Sequence, residues 1–127
     1  MVRSMTRIAL GALAVGAFLS ADAAWAGDAA AGKAKYDMFC VSCHGPAGKG
    51  DGPVGAALNP KPRDFSVGAF KFDADKDGTV GTDADLKLVI KNGGGAYGGS
   101  PMMAPWGATL SETDLENVVA YVRSLKQ

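Results

Sequence analysis

Hydrophobic and polar positions divide the chain into an apolar leader, three helical stretches and two long segments rich in helix breakers. Ile8 to Leu19 is an uncharged, largely apolar run of 12 residues. Asp28 to about Phe39 is rich in alanine, and Asp28 stands where a helix N-cap is wanted. From Gly45 to about Lys71 glycines and prolines crowd together, which reads as loop. Thr82-Asp83-Ala84-Asp85 is a capping box, with Leu86, Val89 and Ile90 at helical spacing behind it and Gly93 as the stop. A second Gly/Pro-rich loop runs from Gly93 to Leu110. Ser111-Glu112-Thr113-Asp114 is another capping box, and Leu115, Val118, Val119, Val122 and Leu125 form one stripe down the helix it starts. Strand alternation and internal repeats are lacking. The pattern predicts a small all-α domain whose loops are too long to be ordered by helices alone.

The leader is not expected to belong to that domain. Arg3 and Arg7 precede the apolar run, and Ala24-Trp25-Ala26 follows it as an A-x-A cleavage site. These are the three parts of a secretory signal peptide, residues 1–26, cut between Ala26 and Gly27 to leave a domain of residues 27–127. Ala21-Asp22-Ala23 offers a second cut a few residues earlier. The competing reading is an uncleaved anchor, but 12 residues fall short of the ~20 that a spanning helix needs. Export to the periplasm is therefore expected, with no membrane span after cleavage.

Composition sharpens the question. The 101 residues after the leader hold six Leu, one Ile, eight Val and four Phe. So thin a core usually needs a staple such as a disulfide, a metal or another non-protein element. The whole chain has 13 basic and 13 acidic residues, and the expected mature part has 11 and 12. That balance excludes the basic excess of a nucleic-acid protein. Two cysteines exclude a multi-disulfide scaffold and a four-cysteine metal site.

Cys40-Val41-Ser42-Cys43-His44 supplies the staple. It is C-x-x-C-H, the motif of covalent haem attachment: two thiols three residues apart reach the two haem vinyl groups, and the adjacent His turns to ligate the iron. A thioredoxin-like redox pair would sit in a βαβ pattern, which is lacking. Zinc would need four ligands, and the chain has only two Cys and one His.

With that motif the chain resembles the small class I c-type cytochromes of bacteria. Gly32, Tyr36 and Cys40, each four apart, match the family's N-terminal helix, and Val118 and Tyr121 match its C-terminal helix. The resemblance covers nearly all of 27–127. It implies the class I cytochrome c fold, all-α, with N- and C-terminal helices crossing and loops wrapped around one covalently attached haem. It also implies Cys40 and Cys43 as thioether residues and His44 as one axial ligand of the iron. Met103-Ala104-Pro105-Trp106 matches the family's axial-Met segment, so Met103 is expected as the second ligand, with Met102 the alternative. Met38, two residues before Cys40, reads as core. In the family a proline carbonyl after the haem motif holds the axial His. Pro53 best matches that position, with Pro60 a weaker candidate.

Asp73, Asp75, Asp77, Gly78 and Val80 stand at positions 1, 3, 5, 6 and 8 of a calcium loop. Position 12, where an EF-hand carries Glu, is Ala84, and Asp83 and Asp85 are one residue off. A solvated acidic turn is the expectation here, and calcium is not expected. The resulting function is that of a periplasmic monohaem carrier, likewise monomeric and not an enzyme. It would pass single electrons between redox proteins such as a dehydrogenase, an oxidase or another cytochrome. It would serve as such a carrier, or as the haem subunit or electron acceptor of a periplasmic dehydrogenase. The alternative is a haem-based gas sensor with a displaceable sixth ligand.

Overall fold

The structure is a computed structural model that describes residues 27–127; the expected signal peptide, residues 1–26, lies outside the described residues. Among the described residues every regular element is helical. The first helix, α1, is Ala29–Phe39, and Asp28 caps it by accepting from the N–H groups of Ala30 and Ala31 at 2.8 and 3.2 Å. A single further turn, α2, is Val41–His44. The third helix, α3, is Asp83–Asn92, opened by the Thr82/Asp85 capping box and ended by Gly93. The last, α4, is Glu112–Ser124, opened by the Ser111/Asp114 box. The starts of α1, α3 and α4 thus follow a local signal in which a side chain satisfies orphan N–H groups of the first turn, whereas α2 continues from α1 without a side-chain cap.

The frame is the crossing of α1 over α4. A Cβ at Gly32 would collide with the Asn117 carbonyl, so the two backbones meet directly at this point. Above the crossing the Tyr36 ring meets Tyr121 edge-on, with centroids 5.0 Å apart and planes at 66°. Asn117 accepts from the Asp28 N–H at 2.7 Å and ties the start of α1 to the same spot. α3 lays Leu86 and Ile90 against Leu115, Val118, Val119 and Val122 of α4 to complete a small core. Gly32→Ala should destabilise the fold by about 1–3 kcal/mol, the usual range for overpacking. The ~1 kcal/mol of helix propensity that alanine gains cannot offset a backbone collision. A fall in the urea midpoint at unchanged slope checks this.

Met38 departs from the sequence expectation: it is 70% exposed and not core. Tyr36 sets the buried face of α1, and two residues turn a helix by about 200°, which carries Met38 to the opposite side. Apart from single 3-10 turns at Gly55–Ala57 and Gly94–Tyr97, the two breaker-rich segments lack regular structure. They lie opposite the α1–α4 crossing and leave a cavity between themselves and the helices.

Candidate haem-binding site

α1 feeds directly into the C-x-x-C-H turn. The Cys40 N–H bonds to Tyr36 O at 2.8 Å, and the His44 N–H bonds to Cys40 O at 2.9 Å. In helical geometry Cys40, Cys43 and His44 fall within an arc of about 100°, so all three side chains share one face. Gly45 then reverses the chain, and the next loop returns to cap the turn. Gly50 and Gly52 donate their N–H groups to His44 O (2.8 Å) and Cys43 O (3.2 Å), and Val54 donates to Ser42 O (2.9 Å). Gly55 must lack a side chain, because a Cβ there would strike the Cys43 carbonyl.

The hydroxyl of fully buried Tyr36 donates to Gly45 O at 2.7 Å and pins the residue after His44 to α1. Burial pushes this hydroxyl far above its ordinary pKa, so it stays a donor. Tyr36→Phe should lower stability by about 1 kcal/mol, since it removes one of the two bonds to a buried carbonyl, which keeps only the Gly48 N–H at 3.1 Å. Chemical denaturation of the two proteins side by side measures this.

The shared face opens on a cavity of about 690 Å³, within the ~300–1,000 Å³ of clefts that enclose small ligands. Cys40, Cys43 and His44 line it, as do Met102 and Met103 from the loop before α4. Phe39, Phe65, Phe70, Phe72 and Trp106 add aromatic faces to its walls, and Leu86, Val89 and Ile90 line the α3 side. Burial pushes the Cys40 thiol up to about 11, with Cys43 adding to the effect. A reactive redox thiol has the opposite shift, a depressed pKa.

His44 is 8% exposed. Burial pushes its imidazole below the ordinary value while the Arg63 main chain pulls weakly the other way, so the ring is neutral near pH 7 and offers a lone pair to a metal. Phe65 stacks on it with centroids 4.5 Å apart and planes at 19°. Nδ1 is sealed from solvent, and although Arg63 lies close enough to bias the ring, no hydrogen bond of normal geometry reaches that atom.

The structure separates the two candidate methionines. Met103 is half-buried, packs on the core, and is held by main-chain bonds from its N–H to Ser100 O (3.2 Å) and from the Gly94 N–H to its carbonyl (3.0 Å). Met102 sits at the mouth, 62% exposed. Pro53 is not where the sequence suggested: it is exposed and outside the cavity wall. Its loop is occupied with the outer carbonyls of Ser42 and Cys43. Pro60, Pro62 and Arg63, further along, run past the cavity instead. Sequence reasoning also missed Phe65. The available signal was three phenylalanines, Phe65, Phe70 and Phe72, in a segment with no helix or strand to bury them.

The acidic turn is ordered by its own carboxylates. Asp73, Asp75 and Asp77 accept from the N–H groups of Gly78, Asp77 and Thr79 at 3.0, 3.2 and 2.7 Å. Asp85 bends back into the turn, so that Asp73, Asp75 and Asp85 each place an oxygen within 4.8 Å of the others. Residues 75–80 of the turn are exposed, as expected, whereas Asp85 of the capping box is 1% exposed. Burial pushes its carboxyl pKa up, but donors from Thr82, Ala74 and Asp75 outweigh this and hold it below the ordinary value.

A small all-α domain whose loops close an apolar cavity, with Cys, Cys and His on one wall and Met on another, defines the class of c-type cytochromes. The cytochrome c family model matches residues 29–126, and the chain belongs to that family. It is 43% identical over 104 residues to cytochrome c-554(547) of Halothiobacillus neapolitanus, covering 80% of this chain and all of that protein. It is also similar to a chain of the Kuenenia stuttgartiensis reducing HAO-like protein complex Kustc0457/Kustc0458, at 35% identity and a TM-score of 0.63 over 76% of this chain. The present chain spans 41% of that longer one. The family's cofactor is covalently bound haem c, and the donors and the apolar cavity described above fit it.

Proposed function

We propose that this cytochrome is an exported, periplasmic single-electron carrier, with Cys40 and Cys43 as the thioether residues and His44 and Met103 as the axial ligands. The observation that carries the reading is that these four side chains line one apolar cavity. When bound, the haem supplies a one-electron ferric/ferrous couple. The protein does the rest by position. Tyr36 and the 50–54 loop fix the C-x-x-C-H turn, Phe65 covers the His44 ring, and the aromatic wall excludes water. The cavity-lining segment Pro60–Arg63, whose Arg63 main chain biases the His44 ring, supports a steadying role for that segment rather than for Pro53.

Export rests on the leader at residues 1–26, and a family match that starts only at residue 29 supports it. Among the described residues no helix is long and apolar enough to cross a membrane. The partners are redox proteins, with a periplasmic dehydrogenase as the proposed donor. The near-neutral charge calls for docking through an apolar patch at the cavity mouth, although Lys61 and Arg63 border it. Half-buried, core-packed Met103 favours a closed sixth position over a gas sensor.

The test joins three readings on protein produced with its leader. The mature protein should begin at Gly27 in the periplasmic fraction, titrate as a single one-electron wave, and leave carbon monoxide unbound when reduced. Rapid carbon monoxide binding by the wild type would overturn the carrier reading in favour of the sensor.

A further inference from the structure

The chain holds two capping boxes of the same design, and they differ in a way that capping does not explain. In the α4 box Asp114 is partly exposed and faces Lys35 at 3.4 Å. In the α3 box Asp85 is 1% exposed and, among the described residues, makes no ion pair. Its Oδ1 accepts from the N–H groups of Ala74 (2.6 Å) and Asp75 (3.3 Å), and its Oδ2 accepts from the N–H (2.8 Å) and Oγ1–H (2.9 Å) of Thr82. Asp85 also lines the haem cavity, one helical turn before Val89. A carboxylate fixed by four donors, with no cation beside it, keeps a charge whose field is poorly screened in a low-dielectric wall.

We propose that Asp85 is a fixed negative charge in the wall of the haem cavity that holds the reduction potential down and so sets which partners can exchange electrons with the protein. This rests on the haem reading above. Reduction adds one electron from a partner protein and moves no proton. The site gains one negative charge, and a nearby anion opposes that gain. Asp85 is thus a positioning residue for charge and touches no reacting atom.

The test is equilibrium redox titration of the haem-loaded protein. Asp85→Asn removes the charge at nearly constant shape. Asp85→Ser does so without an amide N–H facing the Thr82 donors. Asp85→Glu restores the charge, and Thr82→Val loosens the same cap while leaving the anion in place. The midpoint should shift upward in Asp85→Asn and Asp85→Ser, return toward wild type in Asp85→Glu, and not rise in Thr82→Val. A merely structural role predicts a different pattern, since loosening admits water, which favours the ferric state and lowers every midpoint together. An unchanged or lower midpoint in the neutral variants, with the sulfur–iron band intact, overturns the proposal. So does failure of both neutral variants to take up haem, which would make the carboxylate a folding requirement. A wild type without covalent haem would instead sink the haem reading itself.

Discussion

Changing Cys40 and Cys43 to alanine together is expected to leave the chain without a cooperative fold. The cavity behind these residues measures about 690 Å³. At about 24 cal/mol per Å³ of unfilled space, leaving it empty would cost roughly 17 kcal/mol. That is an upper bound, because water enters at the mouth and the loops collapse inward. Even a fraction of it is comparable to the ~5–15 kcal/mol by which whole domains are stable. The core contains only nine buried side chains, and the two long loops have little regular structure of their own. Helical circular dichroism of the haem-free double variant should therefore be weak and should melt without a sharp transition. A haem-free protein that unfolds cooperatively at the wild-type midpoint would show that the cavity is not what the fold is built around.

Met103→Ala should open the sixth coordination position, and Met102→Ala should not. Met103 is half-buried, packed on the core and tied by main-chain bonds to Ser100 and Gly94, whereas Met102 is 62% exposed at the mouth. Sulfur ligation raises the potential of a haem. Met103→Ala should therefore lose the weak near-infrared band of sulfur on ferric haem, lower the midpoint potential and gain carbon monoxide binding. Met102→Ala should keep all three properties of the wild type. The reverse pattern would reassign the ligand, and loss of the band in neither variant would place it outside this loop.

The features legible in the sequence are those whose physics is local. Asp28, Thr82 and Ser111 mark their helix starts because a cap acts over three or four residues, and the observed helices begin where those caps place them. The all-α class was readable from the caps and the Leu115–Leu125 stripe, whereas the α1–α4 crossing was implied by the family resemblance that Gly32, Tyr36, Val118 and Tyr121 carry. C-x-x-C-H was readable because its three functional side chains share a single turn. What failed needed distance information. Pro53 follows the motif by nine residues, yet its loop folds onto the back of the turn, and the chain passes His44 only some ten residues later, at Arg63. Met38 follows buried Tyr36 by two positions and emerges on the far side of the helix. Asp85 reads as an ordinary cap because nothing in its neighbours shows that residues 73–75 fold over it. Phe65 owes its place on His44 to a loop that has no periodicity to read.

The account depends most directly on the state of Cys40 and Cys43. Purified mature protein should be extracted with acid–acetone and digested, and the peptide containing Cys40 to His44 weighed by mass spectrometry. The account predicts that this peptide carries the added mass of one haem and no free thiol. An unmodified peptide with two free thiols, and all haem in the extract, would contradict it.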